Sequence, residues 1–111
     1  IGESVREAIQ QVDGDTPPAY FALNCAHPSH IDACLADGGP WTARIRAIRA
    51  NASSRSHAEL DAATELDIGD PADLADHYVR LRSPLSALNV LGGCCGTDAR
   101  HLRAIRDAWV R

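Results

Sequence analysis

The residues best placed to do chemistry are cysteines, and two of them are adjacent, in Gly92-Gly93-Cys94-Cys95-Gly96-Thr97. Neighbouring side chains cannot both face one core, so the pair is not a packing solution. Two thiolates at one point suit a soft metal ion, with glycines letting the backbone bend tightly around it. The plainer alternatives are two inert buried thiols, since free cysteine is among the most buried residue types, or a vicinal disulfide switch. Cys25, just after an apolar run, suits a ligand or a core position equally. Cys34 falls on the apolar side of a helical pattern and is expected in the core.

The bulk of the chain limits what such a site could serve. Hydrophobic residues make up 45% and charged residues 23%, which is globular rather than disordered composition. A net charge of -4 gives no reason to expect nucleic acid or an anionic membrane as partner. The longest apolar runs fall far short of a membrane span. Four unevenly spaced cysteines in an alanine-rich chain without a leader-like opening fit a reducing compartment, so a cytoplasmic location is expected. Because the chain opens at Ile1 rather than Met, a fragment or processed product is expected.

The elements that must position the thiols can be read from periodicity. Val5, Ala8, Ile9 and Val12 predict an amphipathic helix, closed by Asp13-Gly14-Asp15 and blocked by Pro17-Pro18. The run from Ala19 to Leu23 lacks alternation and predicts a strand buried on both faces, ending at Asn24-Cys25. Ser29 with Asp32 resembles a capping box for a helix carrying Ile31, Cys34 and Leu35. Trp41, Ile45 and Ile48 stand at helical spacing, but the surrounding order of elements favours a strand over Ile45 to Ala50. Asn51 to Gly69 is a polar, acidic connection with a possible short helix capped at Ser56. Asp70-Pro71 opens a helix with Leu74, Tyr78 and Leu81 on one face, ended by Ser83-Pro84. Leu85 to Leu91 is the last predicted strand. A last helix follows with Leu102, Ile105 and Trp109 inward and Arg100, Arg103 and Arg106 in water.

A helix followed by three strand–helix units predicts an α/β fold with a parallel sheet and right-handed crossovers. Three strands leave two apolar edges open, so the chain is expected to belong to a larger α/β fold and to self-associate if isolated. In such folds functional groups gather where strands end and helices begin. Cys25, the acidic connection and Cys94-Cys95 each follow a strand and so fall on one rim. Three thiolates there fit a zinc ion with three protein ligands and an open fourth position. An all-sulfur shell favours a substrate thiolate in that position, which points to activation of a thiol for alkylation.

Other residues near the rim have two readings each. His27 and His30 could be ligands, support ligands, or cap and cover the helix start. Asn24 and Asn51, at strand ends, could orient substrate or satisfy turn backbone. Gly92-Gly93 could cradle a phosphate, although no lysine accompanies them.

Asn24-Cys25 after a strand, followed at long range by Gly92-Gly93-Cys94-Cys95-Gly96-Thr97 before the last helix, resembles the homocysteine S-methyltransferase family. Arg49-Ala50-Asn51-Ala52-Ser53, with Ser56-His57-Ala58-Glu59-Leu60-Asp61 after it, is similar to a bacterial branch of that family. The resemblance implies that residues 1–111 form the C-terminal portion of a (β/α)8 TIM barrel: the last helix of the fifth unit and units six to eight. It implies zinc held by Cys25, Cys94 and Cys95, with the sulfur of homocysteine, or of a related thiol, in the fourth position. A small-molecule donor would methylate that sulfur to give methionine; donors across the family include S-methylmethionine, betaine and methyltetrahydrofolate delivered through a cobalamin module. Asn51 matches the family's asparagine after the seventh strand, while the glycine-containing pattern usually near it is absent. Asn24, Asn51 and Gly93 are the candidate substrate-binding residues. The rest of the barrel, upstream of Ile1, is the expected partner of this segment. Two rival readings use the same thiols: a non-catalytic zinc-stabilised module closed by His27 or His30, and a redox protein working through Cys94-Cys95.

Overall fold

A computed structural model describes residues 4–36, 38–55, 57–62 and 67–110. Its first helix, α1 (Val5–Asp15), is capped by Ser4, whose hydroxyl oxygen accepts from the Glu7 N–H at 3.1 Å. Strand β1 (Phe21–Asn24) and helix α2 (Pro28–Cys34) follow. A 3₁₀ turn (Pro40–Arg44) leads into β2 (Ile45–Ala50). After the acidic connection, with its short helix α3 (His57–Ala62), come α4 (Pro71–Arg80), β3 (Val90–Gly93) and α5 (Ala99–Trp109). The expected cap of α3, Ser56, lies outside the described residues.

The sheet is parallel in the order β1-β2-β3. One core gathers Ile9 of α1, Ile31 and Leu35 from α2 and its end, and Ile45, Ile48 and Ala50 of β2. Leu74, Tyr78 and Leu81 complete it from the α4 side, with Ile105 of α5. The helical spacing of Ile45 and Ile48 has a structural cause. The register slips by one residue between Phe21 and Ala22, so that Phe21 faces Ile45 while Ala22 faces Ala47. A slip of the bulge kind returns residues three apart to one face, and both isoleucines are fully buried. Arg44 ties this strand's start to α1: its guanidinium donates to both Asp13 carboxylate oxygens, at 2.9 and 3.0 Å. That pair holds the Asp13 carboxyl below the usual carboxylate range.

Several expectations are corrected. β1 is not buried on both faces; half-buried Phe21 and Leu23 alternate with exposed Ala22 and Asn24, because β1 is an edge strand. The cap of α2 is His27 rather than Ser29: the His27 ring accepts from the Ser29 N–H at 3.2 Å, and Pro28 takes the first helical position. Cys34 is exposed rather than core. Ile31 and Leu35 use up the inward side of this short helix, and Cys34 is left lining an apolar hollow beside the β1 edge, with Val5 and Leu23. Leu85 to Leu91 is not one strand. Leu85 N–H donates to Leu81 O and Leu88 N–H to Leu85 O, so the first half of the run makes turns that extend the α4 core face. Pairing with β2 begins only at Val90 and includes both glycines. On α5, Leu102 is 48% exposed, and the buried positions are His101 and Ile105. The three arginines of that helix are exposed as expected.

Candidate metal centre

β1 and β3 flank β2, so the loops carrying Cys25 and Cys94-Cys95 start two strand spacings apart, about 10 Å. They meet because the end of β2 serves both. On the β1 side, Cys25 N–H donates to Arg49 O at 3.0 Å and Asn51 N–H to Ala26 O at 2.9 Å. On the β3 side, Cys94 N–H donates to Ala50 O at 2.8 Å and Ala52 N–H to Cys95 O at 3.0 Å. Residues 49 to 52 thus bond left and right in turn, continuing the parallel ladder past the strands. Asn51, 2% exposed, adds a side-chain bond: its Oδ1 accepts from the Cys95 N–H at 3.1 Å. Tyr78 braces the same ends from below. Its buried hydroxyl donates to Gly92 O at 2.6 Å and accepts from Ala50 N–H at 3.1 Å. Burial pushes that phenol up to about 12, so it keeps the proton it donates.

Local backbone then turns the thiols inward. Cys25 has φ 57°, the left-handed region that costs a non-glycine residue about 1–2 kcal/mol. Gly96 has φ 80°, and a Cβ there would strike the carbonyl of Asp67 from the acidic connection. A Cβ on Gly93 would strike the side chain of Thr97, whose hydroxyl donates to Cys94 O at 2.7 Å. Gly93 therefore makes room for the turn that presents the cysteines.

The ligand atoms of Cys25, Cys94 and Cys95 lie within 4.8 Å of one another, and none of these cysteines is in a disulfide. Tetrahedral zinc with sulfur at about 2.3 Å sets its ligands about 3.8 Å apart, so small rotations would bring the three thiols to a zinc ion. Cys25 and Cys94 are half-buried and Cys95 is exposed, which leaves the outer side of the trio open. The thiols are electrostatically linked. The hydrogen bond to Cys94, together with burial, pushes Cys25 up to about 11. The same bond holds Cys94 below the ordinary thiol value, with a smaller push from the Arg49 guanidinium. Cys94 is thus the first of the pair to become a thiolate, the form that binds metal.

Neither His27 nor His30 joins the thiols at that distance; His27 groups instead with Asp73 and His77. Asn24 is exposed and lines the hollow at the β1 edge. Sequence reasoning missed His101, which is fully buried. Its Nε2–H donates to Ile68 O at 2.7 Å while Nδ1 accepts from Asp98 N–H at 3.1 Å, pinning the acidic connection against the start of α5. Asp98 and His101 form a capping box, and their spacing was the available signal, obscured by histidine standing where glutamate is usual.

A sequence model of the homocysteine S-methyltransferase family matches residues 1–109. No solved structure matches the chain. The family match takes in both cysteine loops and the strand between them, and it leaves out only the last two of 111 residues. The chain belongs to the homocysteine S-methyltransferase family.

Proposed function

We propose that this chain is the thiol-bearing end of a (β/α)8 barrel that methylates the sulfur of homocysteine, with Cys25, Cys94 and Cys95 holding a zinc ion. The observation that carries the reading is the convergence of three sulfurs from two loops at the end of β2. Residues 1–111 would supply the last helix of the fifth unit and units six to eight. Among the described residues the outer edges of β1 and β3 have no strand partner, and these edges and the apolar hollow beside β1 support a barrel continuing on both sides. Three thiols at one point, Cys95 of them exposed, would suit a reducing compartment such as the cytoplasm.

Bound among these cysteines, zinc would supply a Lewis-acidic position at which a substrate thiol is held as its thiolate. The chain's own residues prepare that position. Cys94 gives up its proton readily because hydrogen bonds from Cys25 and then Cys95, with a smaller push from Arg49, favour its anion. Asn51 fixes the Cys95 backbone, and Thr97 closes the turn on Cys94 O. Asn24, next to Cys25, would meet the substrate's polar end, whereas Asn51 and Gly93 would act through the loop. In the transfer, homocysteine sulfur loses its proton and forms a bond to the donor's methyl carbon as the donor's own bond to that carbon breaks. Methionine is the product.

The test is zinc content and homocysteine-dependent methionine formation in the full-length protein and in Cys94→Ala. The proposal expects zinc at the thiols and methyl transfer in the former, and loss of that zinc equivalent and of the transfer in the latter. Equal zinc in both, or none in either, would sink it. A closed structural site predicts that zinc spectroscopy is unchanged by homocysteine; the separation of His27 and His30 from the thiols argues against one.

A further inference from the structure

Away from the thiols, two imidazoles and a carboxylate converge where α2 starts against α4. The ligand atoms of His27, Asp73 and His77 lie within 4.8 Å of one another. The two rings meet edge to face, centroids 4.9 Å apart at 75°. Asp73 and His77 stand one turn apart on α4, with His77 Nε2 3.6 Å from Asp73 Oδ2. No cysteine takes part.

We propose that His27, Asp73 and His77 form a second metal site, for a divalent first-row transition ion bound through nitrogen and oxygen. Two imidazoles and one carboxylate make a donor set for such ions that leaves coordination positions open. The histidines are prepared differently. His27 is 4% exposed, and its Nδ1 is taken up by Ser29, 2.8 Å from the hydroxyl. Ligation through Nε2 takes the tautomer protonated at Nδ1, whose N–H then donates to the Ser29 hydroxyl instead of accepting from the Ser29 N–H; that hydroxyl is the kind of outer hydrogen-bond partner that orients metal-binding histidines. Among the described residues, no hydrogen bond commits His77 or Asp73 elsewhere; the pair meets only at ion-pair distance. The three side chains border an open cavity of about 440 Å³, shared with Ser29, Asp67 and Asp70. Solvent or a small polar ligand can therefore complete the shell, and the nearby carboxylates favour a cation. Because His27 caps α2 two residues after Cys25, a metal here would clasp the helix that follows the first thiol arm to α4.

Cobalt(II) distinguishes the two sites in the full-length protein. Thiolate ligands give an intense near-ultraviolet charge-transfer band, which imidazole and carboxylate ligands lack. In a titration read by absorbance and equilibrium dialysis, Cys94→Ala is expected to lose the band and still bind cobalt. His77→Ala should keep the band and bind one equivalent fewer than wild type, the band itself reporting a folded protein. Ser29→Ala should weaken only the equivalent without a band, by about 10–100-fold. If His77→Ala loses both equivalents through misfolding, Asp73→Asn decides, because Asp73 is exposed on the first turn of its helix. Loss of the equivalent without a band alone supports the site. A wild type that binds only the equivalent with the band overturns it, as does retention of both equivalents in His77→Ala or in Asp73→Asn. In those cases the trio is an edge-to-face ring pair beside a helix-surface ion pair.

Discussion

The thiol trio and the imidazole–carboxylate trio begin two residues apart, at Cys25 and His27, yet they are positioned by different means. The thiols sit on loops, and their spacing is set by backbone bonds to residues 49 to 52 at the end of β2. The second trio sits on α4 and at the cap of α2. Asp73 and His77 share a face because a helix repeats every 3.6 residues, and His27 meets them because α2 starts against α4. A loop site templated by a strand depends on a few residues with special backbone or side-chain duties, here Asn51, Gly96 and Tyr78. A helix site depends only on its helices forming and docking. Substitutions in the loops should therefore damage the thiol trio while sparing the other.

The harshest test of this contrast removes a thiol. Loss of an outer hydrogen-bond partner already costs a metal site about 10–100-fold in affinity, so Cys94→Ala should exceed that for zinc at the thiols. Cobalt binding without the charge-transfer band should persist unchanged. If both bound ions vanish together, the two regions are one cooperative unit and the contrast fails.

Asn51→Ala is next in size. It leaves the Cys95 N–H without its partner, a part-buried bond. The expected result is zinc affinity lower by about 10–100-fold, with about 1–3 kcal/mol lost from stability. Asn51→Asp keeps the acceptor oxygen and should recover much of the affinity. If Asn51→Ala binds zinc as wild type does, in competition against a chelator, the β2 ladder alone holds the loop.

How much of this was legible in the sequence follows the same division. Cys94-Cys95 between glycines announced a loop site, and placing each cysteine after a strand put all three on one rim. The helices around Ile9 and Leu74 were readable because their apolar stripes have period 3.6 and α4 begins with an Asp-Pro cap. Misreadings came where tertiary context decides. Leu85 to Leu91 is equally apolar whether it packs as turns or as strand, and only the reach of β2 fixes where pairing starts. Cys34 looked like core because periodicity marks a side of a helix, and does not tell whether a neighbour covers that side. The second trio was invisible, since His27 and His77 are fifty residues apart and nothing local pairs them. Tyr78 was recognised as a core residue, but its hydroxyl bonds to β2 and β3 could be found only in three dimensions.

That hydroxyl offers a finer test, because Tyr78 follows His77 on α4 and braces the strands beneath the thiols. Tyr78→Phe keeps the ring in the core but strips Ala50 N–H and Gly92 O of a buried partner. A loss of about 1–3 kcal/mol is expected, measured by denaturant unfolding. Zinc affinity should fall modestly, and cobalt at the histidines should stay as it was. Equal weakening of both sites would mean that α4 and the strand ends move together.

The smallest expected effect concerns Asp98, just beyond the thiol turn. Its carboxylate caps α5 and is held well below the usual carboxylate range, chiefly by hydrogen bonds from Arg100. A carboxyl with a depressed folded-state pKa contributes stability that is fully present above its unfolded value, about pH 4, and is lost as pH falls through the lower folded value. The melting temperature of wild type should therefore approach that of Asp98→Asn on acidification below about pH 4, since asparagine also caps helices but carries no charge. Because the pair is largely exposed, the gap at neutral pH should be small and should shrink further in high salt. The thiol turn would feel the change through Thr97, whereas α2 and the first turn of α4 lie outside its reach. A gap that stays constant across that pH range would mean that Asp98 acts here as a neutral hydrogen-bonding cap, its charge irrelevant to the loop it closes.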